Sequence, residues 1–219
     1  LLIDLTELNI PAGTEFLDPI LPNYFSDLIS WGCIGARTCE SQIHRELASG
    51  LLMPIGFKNT TDGNSKVAIE AVNTARYPHC FMGINQAGNS AIIKTQGNQA
   101  CHIILRGSQS TPNFSNYHVQ DAALALKQAE LPARLMIDCS HGNSMKSYFR
   151  QQIVIDSILE QLEKDRSTIF GIMLESHLMA GRQELQYNKP LNYGQSITDA
   201  CLSWDETLPL LEKLARNRL

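Results

Sequence analysis

The sequence predicts an α/β protein, and more narrowly a (β/α)8 TIM barrel of which about six βα units are present. The first observation is that short apolar runs alternate along the chain with amphipathic helical stretches. The second is that these runs show little polar alternation, as expected of parallel strands buried on both faces. The third is that neither a GxGxxG nor a GxxxxGK[ST] loop occurs, although an open doubly wound sheet would carry one early in the chain.

The elements follow from this alternation. The predicted strands are the apolar runs at 15–18, 32–37, 53–58, 102–106, 135–138 and 171–175. The predicted helices are 23–30, 40–48, 64–75, 119–129, 147–164 and 205–219. Asp62, Ser41 and Asp205 lie at or near three helix starts, where such residues are favoured. A complete barrel usually takes about 250 residues, so we expect one barrel domain over residues 1–219 that is N-terminally incomplete.

Residues 79–97 interrupt the βα pattern. Two β-like runs flank the turn sequence Asn-Gln-Ala-Gly-Asn at 85–89, which predicts a hairpin. A plain barrel does not need this hairpin, so we expect an inserted regulatory or oligomeric element.

Composition excludes several classes of partner. The net charge of -4 provides no basic surface for nucleic acid or an anionic membrane. There is no apolar run of the length that a membrane-spanning helix needs. The 6 cysteines form no CxxC pair and lie mostly in apolar runs, which favours buried free thiols in a reducing cytoplasm. We therefore expect a cytoplasmic protein without a nucleic-acid or membrane partner.

Three consecutive predicted core strands end in a cation: Arg37, Lys58 and Arg106. A single cation at a strand end is usually a solvated rim charge. Three that meet at the C-terminal mouth of one barrel would repel one another unless an anion compensates them. Phosphate or carboxylate fits, because Arg binds such groups bidentately and Lys adds a point charge.

The next strands end in residues that bind metals. His141 follows the strand 135–138, Glu175 ends the strand 171–175, and Asp199 follows the segment Ser196-Ile-Thr. One nitrogen and two carboxylate oxygens suit a divalent cation used as a Lewis acid. Cys139 is a possible further ligand, but its apolar surroundings favour a core position.

The motifs G-A-R-T, G-F-K-N-x-T-D-G, H-I-I-L-R-G, D-C-S-H-G-N-S, E-S-H-L and Y-G-Q-S-I-T-D-A-C occur in this order. Together they resemble the class I 3-deoxy-D-arabino-heptulosonate 7-phosphate (DAHP) synthases over essentially the whole chain. The resemblance implies a (β/α)8 barrel that condenses phosphoenolpyruvate with D-erythrose 4-phosphate, the first step of the shikimate pathway. It also implies a divalent metal (Mn, Fe, Zn or Co) and a homodimer or homotetramer.

Residue by residue, the resemblance implies three sets of site residues. Arg37, Lys58 and Arg106 would be catalytic and bind phosphoenolpyruvate. Ala36, through its backbone N–H, and Glu15 would assist them at the substrate. His141, Glu175 and Asp199 would bind the metal, with Asp199 also near the substrate.

Two family segments have no counterpart in this sequence. These are the G-P-C-S segment, whose Cys is a fourth metal ligand, and the K-P-R-T segment that helps to hold erythrose 4-phosphate. We therefore expect this chain by itself to be inactive. One alternative is a non-catalytic truncated barrel that keeps an amino-acid-binding surface. Another is the sibling synthase that uses arabinose 5-phosphate, although the hairpin argues against it.

The resemblance also implies feedback inhibition by an aromatic amino acid. The matching effector-binding positions are Asp18, Pro22, Leu47, Leu51, Phe81, Gly83 and Ile93. Gly83 resembles the tyrosine-sensing type, because phenylalanine-sensing members carry Ser there. Glycine leaves room for a phenolic hydroxyl that a serine side chain would crowd, so tyrosine is the expected inhibitor.

Overall fold

A computed structural model describes residues 1–217. The chain divides into two compact units. The N-terminal unit comprises Leu1–Ile104 and Ala125–Pro132, and the C-terminal unit comprises Leu105–Leu124 and Ala133–Leu219. Among the described residues, no helix is both long enough and apolar enough to cross a bilayer.

The N-terminal unit contains a parallel sheet whose strands run β1-β2-β3-β6. Its strands are β1 (Gly13–Glu15), β2 (Trp31–Ile34), β3 (Ile55–Lys58) and β6 (His102–Leu105, of which Leu105 opens the other unit). Its helices are α1 (Leu2–Glu7), α2 (Pro22–Phe25), α3 (Gln42–Gly50) and α4 (Ser65–Ala75), with a 3-10 turn at Ser26–Leu28. Ile103 and Ile104 are consecutive residues of β6, so their side chains point to opposite faces of the sheet, and both are completely buried. This confirms that the strand is covered on both faces.

The predicted hairpin lies between α4 and β6. Strands β4 (Cys80–Ile84) and β5 (Ser90–Lys94) pair antiparallel around Gly88, which has a φ of +80°. Their side chains alternate between exposed and half-buried, unlike those of the parallel sheet. The side chain of Asn23 donates to the carbonyl of Ile84 (2.9 Å), which ties the hairpin to α2.

The C-terminal unit contains the parallel pair β7 (Leu135–Asp138) and β8 (Ile169–Met173). It also contains the short parallel strands β9 (Met179–Arg182) and β10 (Gln195–Ser196). Helix α5 (Asn116–Gln128) contributes residues to both units, whereas α6 (Gln151–Leu162) and α7 (Trp204–Arg216) belong to this one. Ser203 and Glu206 form a capping box at the start of α7.

The predicted alternation of parallel strands and helices is confirmed, but several boundaries were wrong. The strand predicted at 15–18 ends at Glu15, because the Asp18 carboxylate accepts the N–H groups of Ile20 and Leu21 and turns the chain. The strand predicted at 171–175 is β8 and ends at Met173. The predicted helix 23–30 is a short helix and a 3-10 turn, and α6 starts at Gln151 after a 3-10 turn at Tyr148–Arg150. The predicted final helix ends at Arg216, and residues 218–219 lie outside the described residues.

The cysteines agree with the prediction of free thiols. All 6 are free, and only Cys80, on the hairpin, is exposed. Burial raises the pKa of Cys39 and of Cys101 to about 12. Burial also raises the pKa of Cys139, which is completely inaccessible to solvent. The expected core position of Cys139 is therefore observed.

Candidate functional site

The C-terminal unit brings His141, Glu175 and Asp199 together, as the sequence predicted. One ligand atom from each of the three lies within 4.8 Å of the others. His141 Nε2 is 3.4 Å from Glu175 Oε1 and 3.8 Å from Asp199 Oδ2. Two carboxylates and an imidazole at this spacing form an N,O,O donor set that fits a divalent cation such as Mn²⁺, Fe²⁺ or Zn²⁺. The Asp199 side chain is 66% exposed, which leaves the site open to solvent and substrate.

The main chain holds His141 in an unusual conformation. His141 follows β7 in a tight turn with a φ of +47°, a left-handed conformation that costs a non-glycine residue about 1–2 kcal/mol. The next residue, Gly142, packs so closely that a Cβ there would lie 2.1 Å from the Ser108 carbonyl oxygen. Packing of the Gly142 backbone therefore fixes the turn that presents the imidazole.

Asp138 orients the His141 ring. Its Oδ2 lies 2.9 Å from His141 Nδ1, and its carboxylate is completely buried. The other oxygen, Oδ1, accepts the N–H of Ser140 at 2.9 Å. A proton on Nδ1 that faces a fixed carboxylate leaves the Nε2 lone pair for a metal, which is the usual arrangement of a metal-binding histidine.

Glu175 is held from its side chain as well. The hydroxyl of Ser140 donates to Glu175 Oε2, while Oε1 faces His141. Burial raises the pKa of Glu175, and nearby Asp199 and Asp138 add to that shift, although the Ser140 hydrogen bond and His141 oppose it. A carboxylate whose ionised form is disfavoured in this way would be stabilised by a cation.

The raised pKa of Glu175 predicts that Glu175→Gln will stabilise the metal-free protein while it weakens metal binding. Because the pKa is raised in the folded state, the Glu175 contribution to stability is largest below its ordinary pKa and is lost as pH rises through the raised value. Glu175→Gln should therefore raise the thermal midpoint of chelator-treated protein in mildly alkaline buffer while it removes metal binding. The gain should shrink in acid, where Glu175 is protonated. Melting curves at both pH values check this, and a lower midpoint for the variant in alkali would contradict it.

The predicted anion-binding residues also lie at strand ends. Lys58 is the last residue of β3, Arg106 follows β6, and Arg37 lies in the turn after β2. Lys58 and Arg106 are 5% and 9% exposed, whereas Arg37 is exposed. Lys58 and Arg106 are therefore not the solvated rim charges that single cations at strand ends usually are. Burial of a cation is costly, so such residues need a compensating group.

The N-terminal unit places Glu15 beside the turn that carries Ala36 and Arg37. A Cβ on Gly35 would lie 2.1 Å from Glu15 Oε1, so the carboxylate packs directly on the glycine backbone. This close approach explains the need for glycine at Gly35. The Glu15 carboxylate therefore lies beside Gly35, the residue that precedes Ala36.

Most of the predicted effector residues line one pocket in the N-terminal unit. The pocket has a volume of about 480 Å³, within the range of small-molecule sites. Six of the seven predicted residues contribute to its wall: Pro22, Leu47, Leu51, Phe81, Gly83 and Ile93. Asp18 does not, because its carboxylate caps the backbone of Ile20 and Leu21 instead.

The sequence reasoning missed several residues at these sites. Asp138 and Ser140 stand in the quoted D-C-S-H motif, and a polar residue flanking a candidate ligand was the signal that could have found them. Glu46 and Thr95 also line the pocket that contains the predicted effector residues, and no sequence signal pointed to them.

Comparisons with known proteins identify the family of this chain. Residues 5–212 match the model of the DAHP synthetase I family. The Phe-sensitive phospho-2-dehydro-3-deoxyheptonate aldolase of Escherichia coli K12 is 53% identical over 215 residues, which are 98% of this chain and 61% of that protein. The Tyr-sensitive enzyme of the same strain is 49% identical and is covered over 60% of its length.

A solved structure of an enzyme with the same name superposes closely on this chain. The phospho-2-dehydro-3-deoxyheptonate aldolase of Francisella tularensis SCHU S4 superposes with a TM-score of 0.95 at 53% identity, over 99% of this chain and 63% of the other. The chain thus spans about three fifths of the length of the relatives it matches. A family match over nearly all of its residues, together with the clustered His141, Glu175 and Asp199, shows that the chain belongs to the DAHP synthetase I family.

Proposed function

We propose that the protein of which this chain is a part condenses phosphoenolpyruvate with D-erythrose 4-phosphate to give DAHP and phosphate. The convergence of His141, Glu175 and Asp199 is the observation that carries this proposal, since it supplies a donor set that fits a divalent metal in a member of this family. The names of the relatives, phospho-2-dehydro-3-deoxyheptonate aldolases, support the same reaction.

In this proposal Arg37, Lys58 and Arg106 bind the phosphate and carboxylate of phosphoenolpyruvate. The backbone N–H of Ala36 and the neighbouring Glu15 complete the substrate site. Burial of Lys58 and Arg106 supports the assignment, because a desolvated cation binds an anion more strongly than an exposed one does. The charge of these side chains also stabilises the phosphate as it leaves.

The chemistry forms one carbon–carbon bond, and at carbon 2 it forms one carbon–oxygen bond to water and breaks the one to phosphate. Carbon 3 of phosphoenolpyruvate attacks the aldehyde carbon of erythrose 4-phosphate, whose oxygen becomes a hydroxyl by taking up a proton. Water adds at carbon 2, and inorganic phosphate leaves from that carbon to give the keto acid. A divalent metal on His141, Glu175 and Asp199 would supply Lewis-acid polarisation of the aldehyde. Asp138 and Ser140 hold His141 and Glu175 in place for it.

The wider assembly belongs to the same proposal. We propose a (β/α)8 barrel to which this chain contributes about six βα units, with residues 79–97 as its regulatory hairpin. Mn, Fe, Zn or Co would occupy the centre, and the protein would be a cytoplasmic homodimer or homotetramer. The free thiols of the described residues fit a reducing compartment.

The function is tested with the 219-residue chain, Mn²⁺ and phosphoenolpyruvate. Calorimetry should show phosphoenolpyruvate binding, and its absence in Mn²⁺ would contradict the proposal. This chain by itself should release no phosphate from phosphoenolpyruvate and erythrose 4-phosphate, in line with its expected inactivity. The full-length protein should release phosphate, and binding without turnover by that protein would favour the non-catalytic alternative. Turnover with arabinose 5-phosphate in place of erythrose 4-phosphate would favour the sibling synthase.

We further propose that tyrosine is the inhibitor and binds in the hairpin pocket. The relatives bear names that include Phe-sensitive, Tyr-sensitive and Trp-sensitive at 48–53% identity, so overall similarity does not select the effector. Local geometry supports tyrosine. A Cβ on Gly83 would lie 2.8 Å from Ile93 Cγ1, so any larger residue reduces the space beside Ile93.

Gly83→Ser should therefore weaken tyrosine binding and shift the preference towards phenylalanine. A change of this size in a closed pocket is worth about 1–3 kcal/mol, or roughly 10- to 200-fold in affinity. Calorimetry with both amino acids measures the effect. Ile92→Ser is the matched control, because Ile92 is exposed on the other face of β5 and does not line the pocket. Equal losses in both variants, or tighter phenylalanine than tyrosine binding by the parent, would contradict the proposal.

A further inference from the structure

The main chain at Glu175 is fixed by a side chain from α6. Strand β8 ends at Met173, two residues before Glu175, so Glu175 itself lies outside the ladder with β7. Gln151, the first residue of α6, provides the contacts that a neighbouring strand would otherwise make. Its Oε1 accepts the Glu175 N–H at 2.8 Å, and its Nε2 donates to the Glu175 carbonyl at 3.0 Å.

These two hydrogen bonds reproduce a β-pair. A carboxamide carries one acceptor and a donor in a plane, so it can exchange both bonds with a single residue as a paired strand residue does. The other side of this segment is fixed too, because the Leu202 N–H donates to the same Glu175 carbonyl at 3.0 Å. Gln151 is completely buried, so neither bond competes with water.

The consequence lies at the metal centre. The Glu175 carboxylate is placed by two groups, the Ser140 hydroxyl at Oε2 and the backbone that Gln151 fixes. A ligand set binds its metal well only when its members are held to within about 0.5 Å. Rotation of the Glu175 peptide would move Oε1 relative to His141 Nε2, from which it is now 3.4 Å away.

We propose that Gln151 is a positioning residue of the metal centre: its carboxamide fixes the backbone of Glu175 and thereby sets the affinity and the coordination geometry of the divalent cation. Gln151 does not contact the metal and acts only through Glu175. The inference rests on the proposed metal-binding role of His141, Glu175 and Asp199. It assigns a role to a residue that no metal-binding motif includes.

Helix α6 offers a matched control. Gln161 is also a buried glutamine whose Nε2 donates to backbone carbonyls, those of Phe114 at 2.9 Å and Ser157 at 3.2 Å. It contacts none of the three proposed ligands by these bonds. Gln151→Met and Gln161→Met each remove a buried carboxamide of the same size from the same helix. Their general cost to folding should therefore be similar, whereas their effect on the metal should differ.

The experiment measures Mn²⁺ binding to the 219-residue chain by calorimetry, with melting curves of the metal-free variants alongside. Loss of an outer partner of a metal ligand costs about 10- to 100-fold in affinity, so Gln151→Met should bind Mn²⁺ at least about 10-fold more weakly than Gln161→Met. The electron paramagnetic resonance spectrum of bound Mn²⁺ should change in Gln151→Met and stay as in the parent for Gln161→Met. Gln151→Asn, whose amide is one methylene shorter, should reproduce both effects and serves if Gln151→Met does not fold.

The outcomes separate this inference from the proposed function. If the parent chain binds no Mn²⁺, the metal centre itself fails. If the parent binds Mn²⁺ and the Gln151 variants match Gln161→Met in affinity and spectrum, the metal centre stands and the positioning role of Gln151 is overturned. If the Mn²⁺ affinity instead falls in proportion to the thermal midpoint in the variants at both Gln151 and Gln161, the positioning role of Gln151 is also overturned, since its role would then be structural.

Discussion

His141→Ala should abolish Mn²⁺ binding by the 219-residue chain. His141 is the central donor, since its Nε2 faces both carboxylates, and the remaining pair of Glu175 and Asp199 would lose the only nitrogen of the set. Loss of an outer partner already costs a metal site about 10- to 100-fold, so loss of this ligand should weaken binding by more than about 100-fold. Calorimetry with Mn²⁺ measures the change.

The left-handed conformation of His141 calls for a second variant. Alanine is strained at a φ of +47°, whereas asparagine tolerates this region better. His141→Asn should therefore fold at least as well as His141→Ala. Its affinity for Mn²⁺ should nevertheless be reduced as in His141→Ala, because it lacks the imidazole. Unchanged metal stoichiometry in both variants would rule out the proposed centre. Loss of binding in His141→Ala alone would show that the backbone turn, rather than the imidazole, was the cause.

Much of the proposed metal centre could be predicted, because strand ends are visible in the sequence. Parallel strands bring their C-terminal ends to one edge of a sheet, and His141 and Glu175 follow β7 and β8 within a few residues. The predicted end of β8 was two residues too late, but Glu175 was still selected as a candidate ligand. Asp199 was selected because it follows the segment Ser196-Ile-Thr, and in the structure it follows the short strand β10, which was not among the predicted strands.

The supporting residues were not predictable for a physical reason. Gln151 contacts Glu175 across 24 positions of sequence, and its carboxamide would look the same on any helix. Asp138 was visible in the sequence as a polar residue that flanks the candidate ligand His141, but the approach of its Oδ2 to the imidazole is seen only in the structure. The hairpin register that brings Gly83 next to Ile93 likewise depends on tertiary pairing rather than on composition.

A network of asparagines joins the two loops that carry Arg106 and His141. Asn143 donates through Nδ2 to the carbonyls of Leu105 (3.0 Å) and Asp138 (2.8 Å), and its Oδ1 accepts the Asn113 N–H at 2.7 Å. Asn113 in turn accepts the Gly107 N–H at 2.7 Å. Because these bonds are buried, a shift at one loop breaks satisfied polar contacts at the other. The network therefore couples the position of a proposed phosphoenolpyruvate ligand to that of a proposed metal ligand.

Gly107→Ala adds a single methyl group, and it should cause one of the largest losses of stability among the Gly→Ala substitutions in this chain. Gly107 has a φ of +74°, and a Cβ there would lie 2.5 Å from the Gly142 carbonyl carbon and 2.6 Å from the Asn143 nitrogen. Backbone atoms cannot yield as a flexible side chain does, so the two loops must separate. We expect a loss of at least about 3 kcal/mol, which combines left-handed strain with the steric clash. In a chain of this size that corresponds to a fall of about 6 °C or more in the thermal midpoint.

Gly88→Ala separates the two causes. Gly88 has a nearly equal φ of +80°, but nothing lies within 4 Å of the position that its Cβ would occupy. Gly88→Ala should therefore lose only the stability that the left-handed backbone conformation costs an alanine, about 1–2 kcal/mol. Melting curves of the two variants compare these costs directly, and Mn²⁺ calorimetry should show weaker binding for Gly107→Ala alone, because the clash displaces the turn that holds His141. If Gly107→Ala melts no lower than Gly88→Ala and binds Mn²⁺ as the parent does, the close packing of these loops does not support the metal centre.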